Sequence, residues 1–201
     1  RPKEIAEASF AKVGVLGAGM MGAGIAYVTA MSGFDVVLLD MSQDSANKGK
    51  TNVEELLKKR VSRQRMDQET ADATLARIHA TTSFDDLAGS DLVIEAVFED
   101  RAVKAEVTKK ALAVTGDEII FASNTSTLPI TGLAAASERP DNFIGLHFFS
   151  PVDRMPLVEI IMGEETSSET LAKSIDYVKA IRKTPIVVKD ARGFNTSRVF
   201  G

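Results

Sequence analysis

Cysteine is absent from the 201 residues, which excludes a disulfide framework, a thiolate metal site and a thiol nucleophile together. Histidine is scarce. The only two, His79 and His147, stand far apart in the chain and without cysteine make a poor metal site, so none is expected. An excess of positive charge is also missing. Twenty-four Lys and Arg against 28 Asp and Glu leave a formal charge of -4, so no global field holds a polyanion and nucleic acid is not an expected partner. No apolar run approaches the roughly 18 to 20 residues of a membrane span, and the start Arg1-Pro2-Lys3-Glu4 lacks a signal peptide's apolar segment. No membrane span is expected, and the cytoplasm is the expected compartment. No G-x-S-x-G elbow occurs. Gly49-Lys50-Thr51 resembles the end of a phosphate-binding P-loop, but Asp44 stands where that loop needs its first glycine.

What is present is the mix of a folded globular domain, 44% hydrophobic and 26% charged. At 21.6 kDa the chain is long enough for one substantial core plus the beginning of another domain. Short apolar runs alternate with helical patterns: strands near 12–16, 35–40, 92–95, 119–122, 143–149, 157–162 and 186–188. Helices are expected over about 19–32, from a Ser42 cap to Arg63, from an Asp67 cap to Ile78, from an Asp100 cap to Gly116, and from a Ser168 cap to Ile181. The short link Ser150 to Pro156 cannot hold a crossover helix, so the strands that flank it are expected to be antiparallel. The fold class is therefore α/β, a doubly wound, mainly parallel sheet with late antiparallel strands. Residues 1–10 read as a lead segment, 11–191 as the domain, and 192–201 as the start of a truncated C-terminal helical domain. The initial Arg in place of Met suggests a piece of something longer.

Gly17-Ala18-Gly19-Met20-Met21-Gly22 fits G-x-G-x-x-G, directly after a buried strand and opening a helix. In this Rossmann-type turn the first glycine bends sharply, the second leaves room for a pyrophosphate, and the third lets helix and strand pack, while the helix N-terminus faces the phosphates. Gly24 extends the close packing. Met20 and Met21 read as packing residues within the turn. Asp40, at the end of the second strand, can accept from an adenosine ribose hydroxyl, and with Met41 and Ser42 after it nothing neutralises a 2'-phosphate. NAD is therefore expected rather than NADP.

An alcohol oxidised by a nicotinamide cofactor needs a base for its hydroxyl proton, and histidine suits that task near neutrality. His79 reads as a capping or surface residue at a helix end. His147 lies at a strand end, and a link centred on Asp153 would set Glu159 opposite it. The glutamate would fix the imidazole tautomer and favour the imidazolium, as the acidic member of a triad does.

Together with the glycine turn, Val93-Ile94-Glu95-Ala96-Val97-Phe98-Glu99, Ser123-Asn124-Thr125-Ser126, Gly145-Leu146-His147-Phe148-Phe149-Ser150-Pro151 and Leu157-Val158-Glu159-Ile160 follow in order over almost the whole chain. This set resembles the NAD-binding domain of 3-hydroxyacyl-CoA dehydrogenases, and within them the middle of the multifunctional fatty-acid oxidation α subunits. The resemblance implies NAD-dependent oxidation of (S)-3-hydroxyacyl-CoA to 3-oxoacyl-CoA. It makes His147 the catalytic base, Glu159 its partner and Ser126 a hydrogen-bond donor to the substrate oxygen, with Asn124 in support. Ala96, Glu99 and Lys104 fall on the cofactor side with Gly17, Gly19, Met20, Met21, Gly22 and Asp40. Implied partners are an acyl-CoA, a C-terminal dehydrogenase domain, an enoyl-CoA hydratase domain of the same polypeptide, and a second copy in a homodimer. Ser197 stands where the family usually has a substrate-contacting asparagine. The alternatives are another NAD-dependent hydroxyacid dehydrogenase and a non-catalytic, crystallin-like NAD-binding protein. By themselves, Ser126 and Asn124 could make a turn, Glu99 and Lys104 a helix-surface pair, and the basic run Lys58 to Arg65 a solvated helix face.

Overall fold

The structure, a computed structural model, describes residues 3–190. Eight strands form one sheet in the order β3-β2-β1-β4-β5-β6-β7-β8. They are β1 (Lys12–Leu16), β2 (Asp35–Leu39), β3 (Ile78–Thr81), β4 (Leu92–Glu95), β5 (Ile120–Ser123), β6 (Phe143–Phe148), β7 (Leu157–Met162) and β8 (Thr184–Lys189). The helices are α1 (Met20–Met31), α2 (Gln43–Ser62), α3 (Gln68–Ala76), α4 (Arg101–Thr115), α5 (Ile130–Leu133) and α6 (Ser168–Ala180). Every neighbouring pair of strands is parallel except β6 with β7, which the short link 149–156 between them cannot connect in any other sense.

The strand runs are apolar without alternation because both faces of the sheet are covered. Val13, Val15, Val36 and Leu38 face one core with Ile25, Ala26 and Tyr177. Leu16, Val37 and Leu39 face the other with Leu87, Phe121 and Ile130. Helix α1 is buried almost all round, and its Thr29 hydroxyl donates to the Ile25 carbonyl and bonds the buried Tyr177 hydroxyl at 2.7 Å. Ser42, Asp67 and Asp100 cap α2, α3 and α4 as their sequences predict, each side chain accepting from a backbone N–H three residues on.

Two expectations need correction. The helix opened by Asp67 stops at Ala76, and Ile78–Thr81 is a strand, whose residues pair in parallel with Val36–Leu39. Buried Ile78 and Thr81 lie three residues apart with His79 exposed between them, a spacing that suits a helix as well as a strand in sequence. His79 accordingly lies on an edge strand, bonded to Asp86 at 3.1 Å. Secondly, Ser167 and not Ser168 caps α6, accepting from Thr170 N–H at 3.1 Å. The stretch 130–142, for which no element is expected from sequence, holds α5 and two single 3₁₀ turns, pieces too short to carry a periodic signal.

The strand order reverses between β1 and β4, which opens a crevice at their carboxyl ends. Glycines make that crevice. Gly17 has φ +97°, and a Cβ there would meet the Ala96 carbonyl oxygen at 2.6 Å; one on Gly22 would meet the Gly17 carbonyl oxygen at 1.7 Å. Gly24 admits Val152, from the β6–β7 link, to within 2.7 Å of a would-be Cβ. The rejected P-loop residue Gly49 lets α2 lean on Ala18 of the glycine turn.

Candidate active site

At Gly19 a Cβ would meet nothing within 4 Å. This glycine precedes α1, whose first turn carries no side-chain cap, so unsatisfied N–H groups face open space beside a residue without a side chain. Asp40 closes the other side of the turn: its carboxylate accepts from Ala18 N–H at 2.9 Å and Met41 N–H at 2.7 Å. Gly17, Gly19, Gly22 and Asp40 thus form one cradle, which fits a dinucleotide's pyrophosphate and ribose. Met21 packs on the core while Met20, 77% exposed, lies on the surface of the first turn and packs on nothing, contrary to its reading as a packing residue.

The crevice continues into a cleft of about 330 Å³ lined by Met21, Ala96, Val97, Glu99, Asn124, Ser126 and His147 to Ser150. His147 and Glu159 are direct cross-strand partners of β6 and β7, so their side chains share a face. Imidazole Nδ1 lies 2.9 Å from Glu159 Oε1. A carboxylate can only accept, so against it a neutral ring carries its hydrogen on Nδ1 and keeps the lone pair on Nε2. Phe149 packs on the ring at 4.6 Å between centroids, and the Asn124 side-chain oxygen accepts from Phe148 N–H at 2.8 Å, which anchors the end of β6.

Ser126 sits across the cleft, its N–H and hydroxyl donating to Glu99 Oε2 at 2.9 and 3.0 Å. Thr125 donates to the other Glu99 oxygen at 2.8 Å. Burial alone would raise the Glu99 carboxyl, but these donors and the Lys104 ammonium outweigh it and hold the group below its ordinary range. Lys104 is not the helix-surface partner that spacing allows. It is 2% exposed beneath the cleft, with Nζ 2.6 Å from Glu95, 3.3 Å from the Val97 carbonyl and 3.5 Å from Glu99. The sequence reading missed Glu95 as a site residue. Its signal was a lone carboxylate in an apolar buried strand, where an unpaired charge is too costly to persist. Burial pushes its carboxyl up, while Lys104, Ser123 and Val97 N–H oppose that shift. Ser197 lies outside the described residues, as does the segment 192–201.

The larger hollows lie elsewhere. Beyond the β6–β7 link two adjoining ones of about 650 and 390 Å³ share Tyr27, Arg60, Asp153 and Arg154, and the second adds Lys59, Arg63 and Arg65. Of the basic run, Lys59, Arg60, Arg63 and Arg65 line the second hollow, while Lys58, Lys59, Arg63 and Arg65 are exposed to solvent, as a solvated helix face would have them. Among the described residues no group of three or more His, Cys, Asp or Glu is arranged to hold a metal ion, and no helix is long and apolar enough to cross a membrane.

The family described as 3-hydroxyacyl-CoA dehydrogenase, NAD binding domain, matches residues 12–191. The chain belongs to this family. A fatty acid oxidation complex subunit alpha from Psychrobacter arcticus is 45% identical over 185 residues, which are 92% of this chain and 26% of that protein. The chain therefore spans about a quarter of the curated relatives it matches. The crystal structure of an (S)-3-hydroxybutyryl-CoA dehydrogenase from Ralstonia eutropha superposes with a TM-score of 0.90 at 41% identity, over 95% of this chain and 68% of that one. A 3-hydroxybutyryl-CoA dehydrogenase from Escherichia coli K12 gives 0.89 at 34% identity, over 94% and 40%. The sheet order and glycine cradle are those of a doubly wound dinucleotide-binding domain, in keeping with the family's description.

Proposed function

We propose that this chain holds NAD across the crevice and supplies the base that takes the hydroxyl proton as NAD oxidises (S)-3-hydroxyacyl-CoA to 3-oxoacyl-CoA. The observation that carries the reading is His147 in the cleft wall with Nδ1 tied to Glu159. NAD, once bound, supplies the acceptor for the carbinol hydride. Its pyrophosphate is assigned to Gly17, Gly19 and Gly22, its ribose hydroxyls to Asp40, and its nicotinamide end to the side of the cleft formed by Ala96 and Glu99. His147 Nε2 takes the hydroxyl proton as the carbonyl forms, and Glu159 stabilises the resulting imidazolium. Ser126 donates to the substrate oxygen, and Asn124 holds the His147 strand end in place. Lys104 acts from below, through Glu99.

The substrate's phosphates need cations, and the groove of Lys59, Arg60, Arg63 and Arg65 offers them at the far end of the link that begins at Ser150. An enoyl-CoA hydratase domain and a C-terminal dehydrogenase domain of the same polypeptide belong to the same proposal, supported by alpha-subunit relatives of which this chain covers about a quarter; a homodimer and a cytoplasmic setting are proposed with them. The experiment is NADH-dependent reduction of acetoacetyl-CoA by the polypeptide that contains this domain. Activity that persists in His147→Gln rules out the assigned base.

A further inference from the structure

Proton transfer at His147 leaves three charges unused. Glu95, 1% exposed, gives Oε1 to Lys104 at 2.6 Å and Oε2 to the Ser123 hydroxyl at 2.5 Å. Lys104 then faces Glu99, which lines the cleft. Two carboxylates and one ammonium leave a formal surplus of one negative charge. A neutral ion pair would have sufficed for structure, and an apolar pair often serves as well in a buried position. The surplus is placed on the cleft side. Among the residues that line the cleft Glu99 is the one with a carboxylate, and none has an ammonium or guanidinium. His147 is the other titratable residue that lines this space, with Glu159 buried behind it.

We propose that the Glu95–Lys104–Glu99 cluster biases the cleft toward the oxidised, cationic form of the nicotinamide cofactor over NADH, with Glu95 cancelling Lys104 so that the charge of Glu99 acts undiminished. The inference rests on the proposed seating of the nicotinamide end in this cleft. NAD in its oxidised form carries a positive ring and NADH a neutral one, so a negative surplus binds the first more tightly relative to the second. Glu95 acts through Lys104 and is a positioning residue.

The ratio of the two dissociation constants is the readout, because a merely structural role weakens both cofactors alike. Calorimetry with this chain gives each constant for the unsubstituted protein, Glu95→Gln and Glu99→Gln, with thermal melting to confirm folding. Each variant is expected to raise Kd(NAD⁺)/Kd(NADH) about tenfold, the scale of one unit charge acting over several ångströms in a partly screened site. If Glu95→Gln does not fold, Glu99→Gln decides alone. A ratio within twofold of the unsubstituted value in every folded variant overturns the proposal. A change in Glu99→Gln with none in a folded Glu95→Gln overturns the part given to Glu95. Failure of the unsubstituted chain to bind either cofactor overturns the seating itself.

Discussion

Asp40 accepts a hydrogen bond from the backbone N–H of Ala18 at 2.9 Å, so the carboxylate at the end of β2 is fastened to the glycine turn that follows β1. The acidic group and the phosphate cradle are thereby one rigid unit. A 2'-phosphate brought to this carboxylate meets its negative charge, whereas a ribose hydroxyl donates to it. NADH is expected to bind more tightly than NADPH by about 1 to 3 kcal/mol. Calorimetry with both cofactors measures the gap, and Asp40→Ala should narrow it.

Two glycines of the turn, Gly22 and Gly19, should fail differently. Gly22→Ala puts a Cβ 1.7 Å from the Gly17 carbonyl oxygen, so helix and turn must separate; a loss of about 2 kcal/mol or more in stability is expected, with loss of NADH binding. At Gly19 the same methyl meets no protein atom within 4 Å, so stability should change by less than about 1 kcal/mol while NADH binding falls steeply. Denaturant melts beside NADH titrations separate the two. Equal stability losses would show that the space at Gly19 is not reserved for a ligand.

Glu99 sets a pH limit on the Ser126 loop. Its carboxyl is held below the ordinary value of 4.5, so the contribution of its contacts with Ser126 and Thr125 is complete above that pH and is lost as pH falls through the lowered value. Melting temperatures of the unsubstituted chain and Glu99→Gln should differ at neutral pH and converge in acid. A constant difference down to the acid limit would exclude the ionised carboxylate as the cause.

Much of this was legible in the sequence, for identifiable physical reasons. Glycine spacing after an apolar run reports backbone geometry directly, because only glycine tolerates the approach of Gly22 to Gly17. The pairing of His147 with Glu159 followed from the length of one link, since an antiparallel register is set by its turn. What escaped reading depends on distance through space. Lys104 has the spacing of a surface residue on α4, and only the packing of that helix over β4 buries it against Glu95. The groove of Arg60, Arg63 and Arg65 likewise needs Asp153 and Arg154 brought across from the β6–β7 link. The edge strand at Ile78–Thr81 is short and follows a helix without a break signal, so its identity comes from pairing with β2.

The Glu159 contact carries its own test. Glu159→Gln keeps the size of the side chain but can present an amide N–H to His147 Nδ1, which allows the wrong tautomer and removes the charge that steadies the imidazolium. In the polypeptide containing this domain, kcat for acetoacetyl-CoA reduction should fall about 10²- to 10⁴-fold with little change in NADH affinity. A variant with unaltered kcat would show that His147 needs no acidic partner.

The central claim is that one cleft joins the cofactor cradle to the base at His147. The most direct measurement pairs two readings on His147→Gln in that same polypeptide: NADH binding, and the rate of acetoacetyl-CoA reduction. The account predicts an NADH dissociation constant within about twofold of the unsubstituted enzyme, because every cofactor contact named here lies outside the imidazole, together with a rate at least about 10³-fold lower. A rate comparable to that of the unsubstituted enzyme, with NADH still bound, would contradict it.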